Sequence, residues 1–135
     1  MAMRRLSIAL LLVMGLLASL WAKEFRMKTS SDLVPSATGK VELDKDRNGN
    51  RVAKVRVYHL ADPEKLNPAK NAYVVWIQAK GKDPENVGVL KVNEDLEGNL
   101  AATTPYNKFE VFITAEENPK PDRPTGPEIL RAEVD

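Results

Sequence analysis

The sequence predicts an all-β protein: about seven antiparallel strands forming an Ig-like β-sandwich, preceded by an N-terminal signal or anchor helix. Three observations lead there. Short runs rich in Val, Ile, Tyr and Phe recur at roughly 8–12-residue spacing, with turn residues between them. No stretch after residue 22 sustains the 3.6-residue apolar period of a normal helix. Residues 1–22 are of another kind: positions 6–22 carry no charge and follow Arg4 and Arg5.

A positive cluster, an apolar core and small residues near its end describe an export signal. Ala22 would stand just before a cut at Lys23, with Leu20 where a smaller residue is favoured. The uncharged core is long for a signal and short for a span of about 20 residues, so cleaved signal and retained anchor both stay open. Either way the remainder is expected outside the cytoplasm, periplasmic or secreted, because Arg4 and Arg5 stay inside.

Residues 23–35 read as an exposed, flexible linker, and residues 36–135 as the sandwich domain. Val41 and Leu43 flank Glu42 in a first alternating run, which ends at Asp44-Lys45-Asp46-Arg47-Asn48-Gly49. Ala53, Val55 and Val57 alternate with Lys54 and Arg56, the period-2 pattern of a half-buried strand. Asn48-Gly49 between these runs is the strongest hairpin signal in the chain, suited to a type I′ turn. Residues 61–71 contain Pro63 and Pro68 and read as a loop with room for one helical turn. Tyr73-Val74-Val75-Trp76-Ile77 is apolar on both faces, as a central strand is.

Shorter strands are expected at 87–92 and 100–103. Phe109, Val111 and Ile113 then alternate with Lys108, Glu110 and Phe112. A last strand occupies 129–134, after a loop stiffened by Pro119, Pro121, Pro124 and Pro127. With a strand on each side, that proline segment is a connection, not a tail.

The chain has no cysteine, so an exported domain of this kind is held by its core alone and cannot carry a lipid on an N-terminal cysteine. Arg4 and Arg5 are the only charges in residues 1–22. Taking them from 20 basic and 19 acidic residues leaves the remainder at net −1, a balance that argues against a nucleic-acid partner.

Candidate chemistry is sparse. Asp44, Asp46 and Asn48, with Gly49 at position 6, match the first half of a calcium loop. Position 12, where a bidentate Glu belongs, is Val55, and the hairpin turn accounts for the same residues. His59 is the single histidine and has no cysteine or second histidine to complete a zinc site. Glu116 and Glu117 are adjacent on a strand, so they point to opposite faces and read as solvated charges at its end. Tyr73 and Trp76 are the aromatics that could stack on a flat ligand. Three apart on one strand, they cannot share a platform, and one of them is expected in the core. No phosphate loop or nucleophile elbow occurs.

Four segments, read in order, resemble the C-terminal, extracytoplasmic domain of anti-sigma-K factors (RskA-type). Tyr73-Val74-Val75-Trp76-Ile77 looks like that family's "YxxWL" strand, and Val87-Gly88-Val89-Leu90 is similar to its "slGvl" strand. Phe112-Ile113-Thr114-Ala115-Glu116 matches "vaVTlEp", and Pro124-Thr125-Gly126-Pro127 matches "PTGPvvl" before the last strand. Gly39-Lys40-Val41 and the turn after it fit the domain's opening. The likeness spans roughly residues 36–134 and departs at 118–123, where the family usually has "GG". A second departure concerns function. Five residues before the apolar run cannot form the family's sigma-binding domain, so the resemblance implies fold and side of the membrane, not sigma sequestration.

These readings converge on an exported, non-catalytic binding module without cofactor. Its partner is expected to be a protein or a cell-envelope component, and its membrane contact to run through residues 1–22 if they are retained. A glycan or small-molecule module using Tyr73 or Trp76 is the alternative.

Overall fold

A computed structural model describes residues 23–135, so the signal or anchor expected over 1–22 lies outside the described residues. Eight strands follow one another: β1 (Lys23–Thr29), β2 (Thr38–Lys45), β3 (Arg51–Tyr58), β4 (Ala72–Ala79), β5 (Glu85–Leu90), β6 (Gly98–Thr104), β7 (Phe109–Glu116) and β8 (Glu128–Val134). A single 3₁₀ turn, Pro63–Lys65, lies between β3 and β4. All strand pairs are antiparallel, in one continuous sheet of order β5-β4-β7-β8-β1-β2-β3-β6 that curls nearly into a barrel.

The all-β, antiparallel architecture is the one expected, but there are eight strands, not seven. The extra strand is β1, in the segment read as a flexible linker. Phe25 and Met27 alternate with Glu24, Arg26 and Lys28, and only Met27 is fully buried, so its period-2 signal is short and masked by charge. β1 pairs with β2 from Lys23 to Met27, then hands over to β8 through Lys28 and Thr29. This handover joins the β2-β3-β6 side to the β5-β4-β7-β8 side and makes the sheet continuous.

The core lies between the two sides. Val41, Leu43, Ala53, Val55 and Val57 face Tyr73, Val75, Ile77, Val111, Ile113, Leu130 and Val134, all buried. Val34, Leu60 and Leu66 close one end. Each fully buried Val, Leu or Ile stabilises the fold by about 1.5–3 kcal/mol relative to exposure. The Tyr73 hydroxyl is paired as well, donating to the carbonyl of Ala61 at 2.5 Å, and burial raises its pKa well above the usual phenol range.

The β2–β3 hairpin forms where Asn48-Gly49 signals it, with a different turn. Asp46 and Asn50 are bonded through Asp46 N–H to Asn50 O at 2.9 Å, and Gly49 N–H reaches Asp46 O at 3.3 Å. Only Gly49 has positive φ, at +81°. This is a type I turn followed by a left-handed glycine, not a type I′ turn, because the strands are separated by a longer loop than two residues.

Candidate functional site

The side of the sheet formed by β4, β7 and β8 carries a buried polar chain on its outer surface. Trp76 and Phe112 are cross-strand partners whose rings stack with centroids 6.3 Å apart. Arg131, opposite Phe112 on β8, lies 4.2 Å above that ring and is held by Glu110 at 2.8 Å and Glu128 at 2.6 Å. Burial disfavours the Glu128 charge, yet the hydrogen bonds from Arg131 and Ser30, together with the Arg131 charge, outweigh it and keep the carboxyl below its ordinary value. From Trp76 the indole N–H donates to Thr114 Oγ1 at 2.8 Å, and the Thr114 hydroxyl donates to Glu116 Oε2 at 2.6 Å.

Glu116 is 1% exposed, not solvated at a strand end as its sequence context suggests. Its carboxylate accepts from the backbone N–H of Thr125 (3.2 Å) and Gly126 (3.1 Å), and from the Thr125 hydroxyl. Burial pushes its pKa up, but the hydroxyls of Thr114 and Thr125 and these backbone donors more than offset that and hold it below the ordinary carboxylate value. With its lone pairs occupied by donors, Glu116 is a structural anion and a poor general base.

What buries Glu116 is the proline segment between β7 and β8. Besides Thr125 and Gly126, it is fixed by Ala115 N–H to Pro127 O (3.0 Å), Asn71 to Glu117 O (2.8 Å) and Asn86 to Pro121 O (3.3 Å). Asn86 lies opposite Trp76 in the β4–β5 register, so the segment crosses the outer surface of β4. Gly126 packs so closely that an added Cβ would stand 1.7 Å from the Ala115 carbonyl oxygen.

Tyr73 and Trp76 both have no exposed surface, one in the main core and the other beneath the proline segment with Val74 and Phe112. Neither can stack on a ligand. The sequence places one of them in the core; the second is buried because a loop, not another sheet, covers the far face. Asp44 and Asp46 are engaged by partners of the β2–β3 hairpin, and Asn48 contributes its backbone N–H to the same turn. Asp44 faces Lys54 at 3.7 Å, Asp46 Oδ1 accepts from the N–H of Asn48 and Asn50 at 2.9 Å each, and Val55 points into the core. Among the described residues no cluster of three or more His, Cys, Asp or Glu side chains could hold a metal ion. His59 is exposed at the end of β3 with φ +55°, its carbonyl accepting from Ser36 at 3.3 Å.

A surface with charges left unpaired among the described residues is the outer face of β1, β2, β3 and β6. Register places Arg26, Lys40, Arg56 and Asn99 directly opposite one another across the four strands. Lys40 binds both neighbouring carboxylates, Glu24 at 3.2 Å and Glu42 at 3.1 Å; the hydrogen bond to Glu42, then that to Glu24, raises its pKa. Asp44 is paired with Lys54. Arg26 and Arg56 are exposed and make no ion pair among the described residues. Two shallow depressions flank Tyr58 here: one of about 630 Å³ lined by Arg26, Thr38 and Lys40, the other of about 410 Å³ lined by Arg56, Glu97 and Asn99. Individual residues in this row look like ordinary solvent-facing positions of separate strands, so sequence reading passes over them.

No family model and no curated protein matches the chain.

Proposed function

We propose that this chain is an exported, non-catalytic binding module whose outer β1-β2-β3-β6 face holds a partner, a protein or a cell-envelope component, through its carboxylate or phosphate groups. The carrying observation is the cross-strand row Arg26–Lys40–Arg56. Like charges directly opposite on neighbouring strands are destabilising. Here Lys40 takes the adjacent carboxylates and leaves two guanidinium forks, suited to bidentate capture of planar anions, facing solvent on either side.

Export is supported by Arg4, Arg5 and the uncharged residues 6–22. The likeness to the extracytoplasmic domain of anti-sigma-K factors favours a sensing or interaction role within a sandwich-like fold. Two of the four resembling segments meet in the Glu116–Thr125 contact. Titration with a short poly-glutamate peptide and with pyrophosphate, followed by amide chemical shifts, tests the reading. Shifts centred on Arg26, Lys40, Arg56 and Tyr58, lost in an Arg26→Ala/Arg56→Ala variant, are expected. An unperturbed face with both probes defeats it.

A further inference from the structure

The strand register places the start of β1 at one end of the domain. β1 begins at Lys23, directly after the uncharged residues 6–22. Lys23 lies opposite Leu43, so the end of β2 and the 46–50 turn project past the start of β1 by two or more residues, on the order of 7 Å or more. The other two connections at this end are 80–84, beyond the Ala79–Phe109 pair, and 105–108. They form one surface: Arg51 donates to Asn107 at 3.4 Å, and Lys82 lies 5.9 Å from the Tyr106 ring centre.

Charge is divided between the two ends. Segments 44–51, 80–85 and 105–108, with Lys23 and Asp135, hold seven cations and five side-chain carboxylates, Glu85 among them beside Tyr106. The opposite loops, 30–37, 59–71, 91–97 and 116–127, hold five cations and nine carboxylates. At the first end Lys23, Lys45, Arg47, Lys80, Lys82 and Lys108 are all exposed, and none makes an ion pair among the described residues. A near-neutral domain is thus polar along its strand axis, and the balance along the sequence conceals it.

We propose that the basic turn end of the domain docks on the anionic headgroups of the membrane entered by residues 6–22, holding the strands upright and the acidic loop end away from the bilayer. The proposal rests on the retained-anchor reading of residues 6–22 and is independent of the Arg26–Arg56 face. If the chain leaves the bilayer at Lys23, the 46–50 turn stands at headgroup depth, where an exposed Arg47 has either anionic partners or none. Lys and Arg near such a surface gain attraction that decays within a Debye length, about 10 Å at 0.1 M salt.

The absence of cysteine permits a direct test with the full chain. Single variants Asn48→Cys at the basic end and Ala69→Cys at the opposite end, each carrying an environment-sensitive fluorophore, are reconstituted in vesicles of neutral phosphatidylcholine, with or without about one-third phosphatidylglycerol. Sedimentation with the vesicles reads the anchor; label emission reads the docking. The expected result is a blue shift at position 48 only, only with the anionic lipid, reversed by 0.5 M salt. Lys80→Glu/Lys82→Glu should abolish it, since each cation is worth about fivefold in partition. Chain that sediments with both vesicle types while position 48 stays equally solvated in each overturns the proposal with the anchor intact. Chain that does not sediment at all overturns the anchor reading and the proposal with it.

Discussion

The carboxylate of Glu116 is held by Thr125, nine residues further along the chain, through both the backbone N–H and the hydroxyl of that residue. A buried charge with several donors is stable in place; the same donors without it are stranded. Glu116→Gln replaces an acceptor-only group by one that must present an amide NH₂ to donors already aimed at it. We expect a loss of about 2–3 kcal/mol, the scale of hydrogen bonds to a charged group, read as a lower urea midpoint at unchanged slope. A variant as stable as the parent would mean that the proline segment is secured by its other contacts alone.

The same contact has a pH signature. The Glu116 carboxyl is held below its ordinary value of 4.5 in the folded chain, because the donors outweigh burial. A depressed folded pKa contributes stability that is fully present above the unfolded value and is lost as pH falls through the folded one. The stability gap between parent and Glu116→Gln should therefore be constant near neutrality and close as pH drops below that ordinary value. Urea unfolding at a series of pH values measures it, and a gap of constant size down to pH 3 would contradict an ionised Glu116.

Strands carry their signal locally, so β3, β4 and β7 are legible from alternation or from a continuous apolar run. β1 is not, since two apolar positions among charges look like a polar linker until Met27 is seen under β2. Glu116 is illegible for a different reason. Its burial is made by a segment that returns over the sheet, and only Thr125-Gly126, a hydroxyl donor followed by a residue without a side chain, hints at an anion nearby. The cationic row is a property of register across three strands, which one strand's pattern cannot reveal.

Trp76 gives a cheap check on that returning segment. Its indole is fully buried and donates to Thr114, so its emission should be blue-shifted and resistant to iodide quenching in protein freed of residues 1–22, which contain the other tryptophan. Thr114→Val strands the buried indole N–H and removes one donor to Glu116, at a cost of about 1–3 kcal/mol. A red-shifted, readily quenched spectrum would show that the segment does not cover β4.

The Asp44–Asn48 turn separates two readings of the same residues. An extracellular-type calcium site of about 0.1 mM affinity would add about 2.7 kcal/mol of stability at about 10 mM calcium, visible as a rise in Tm. We expect none, because Asp46 Oδ1 already accepts from two backbone N–H groups, Asp44 faces Lys54, and Val55 stands where a closing carboxylate is needed. Gly49→Ala should instead cost about 1 kcal/mol, since φ of +81° disfavours any side chain although open space surrounds the position. Calcium-dependent melting would restore the metal site. Calcium-independent melting with a destabilised Gly49→Ala variant leaves these residues as the turn that sets the β2–β3 register.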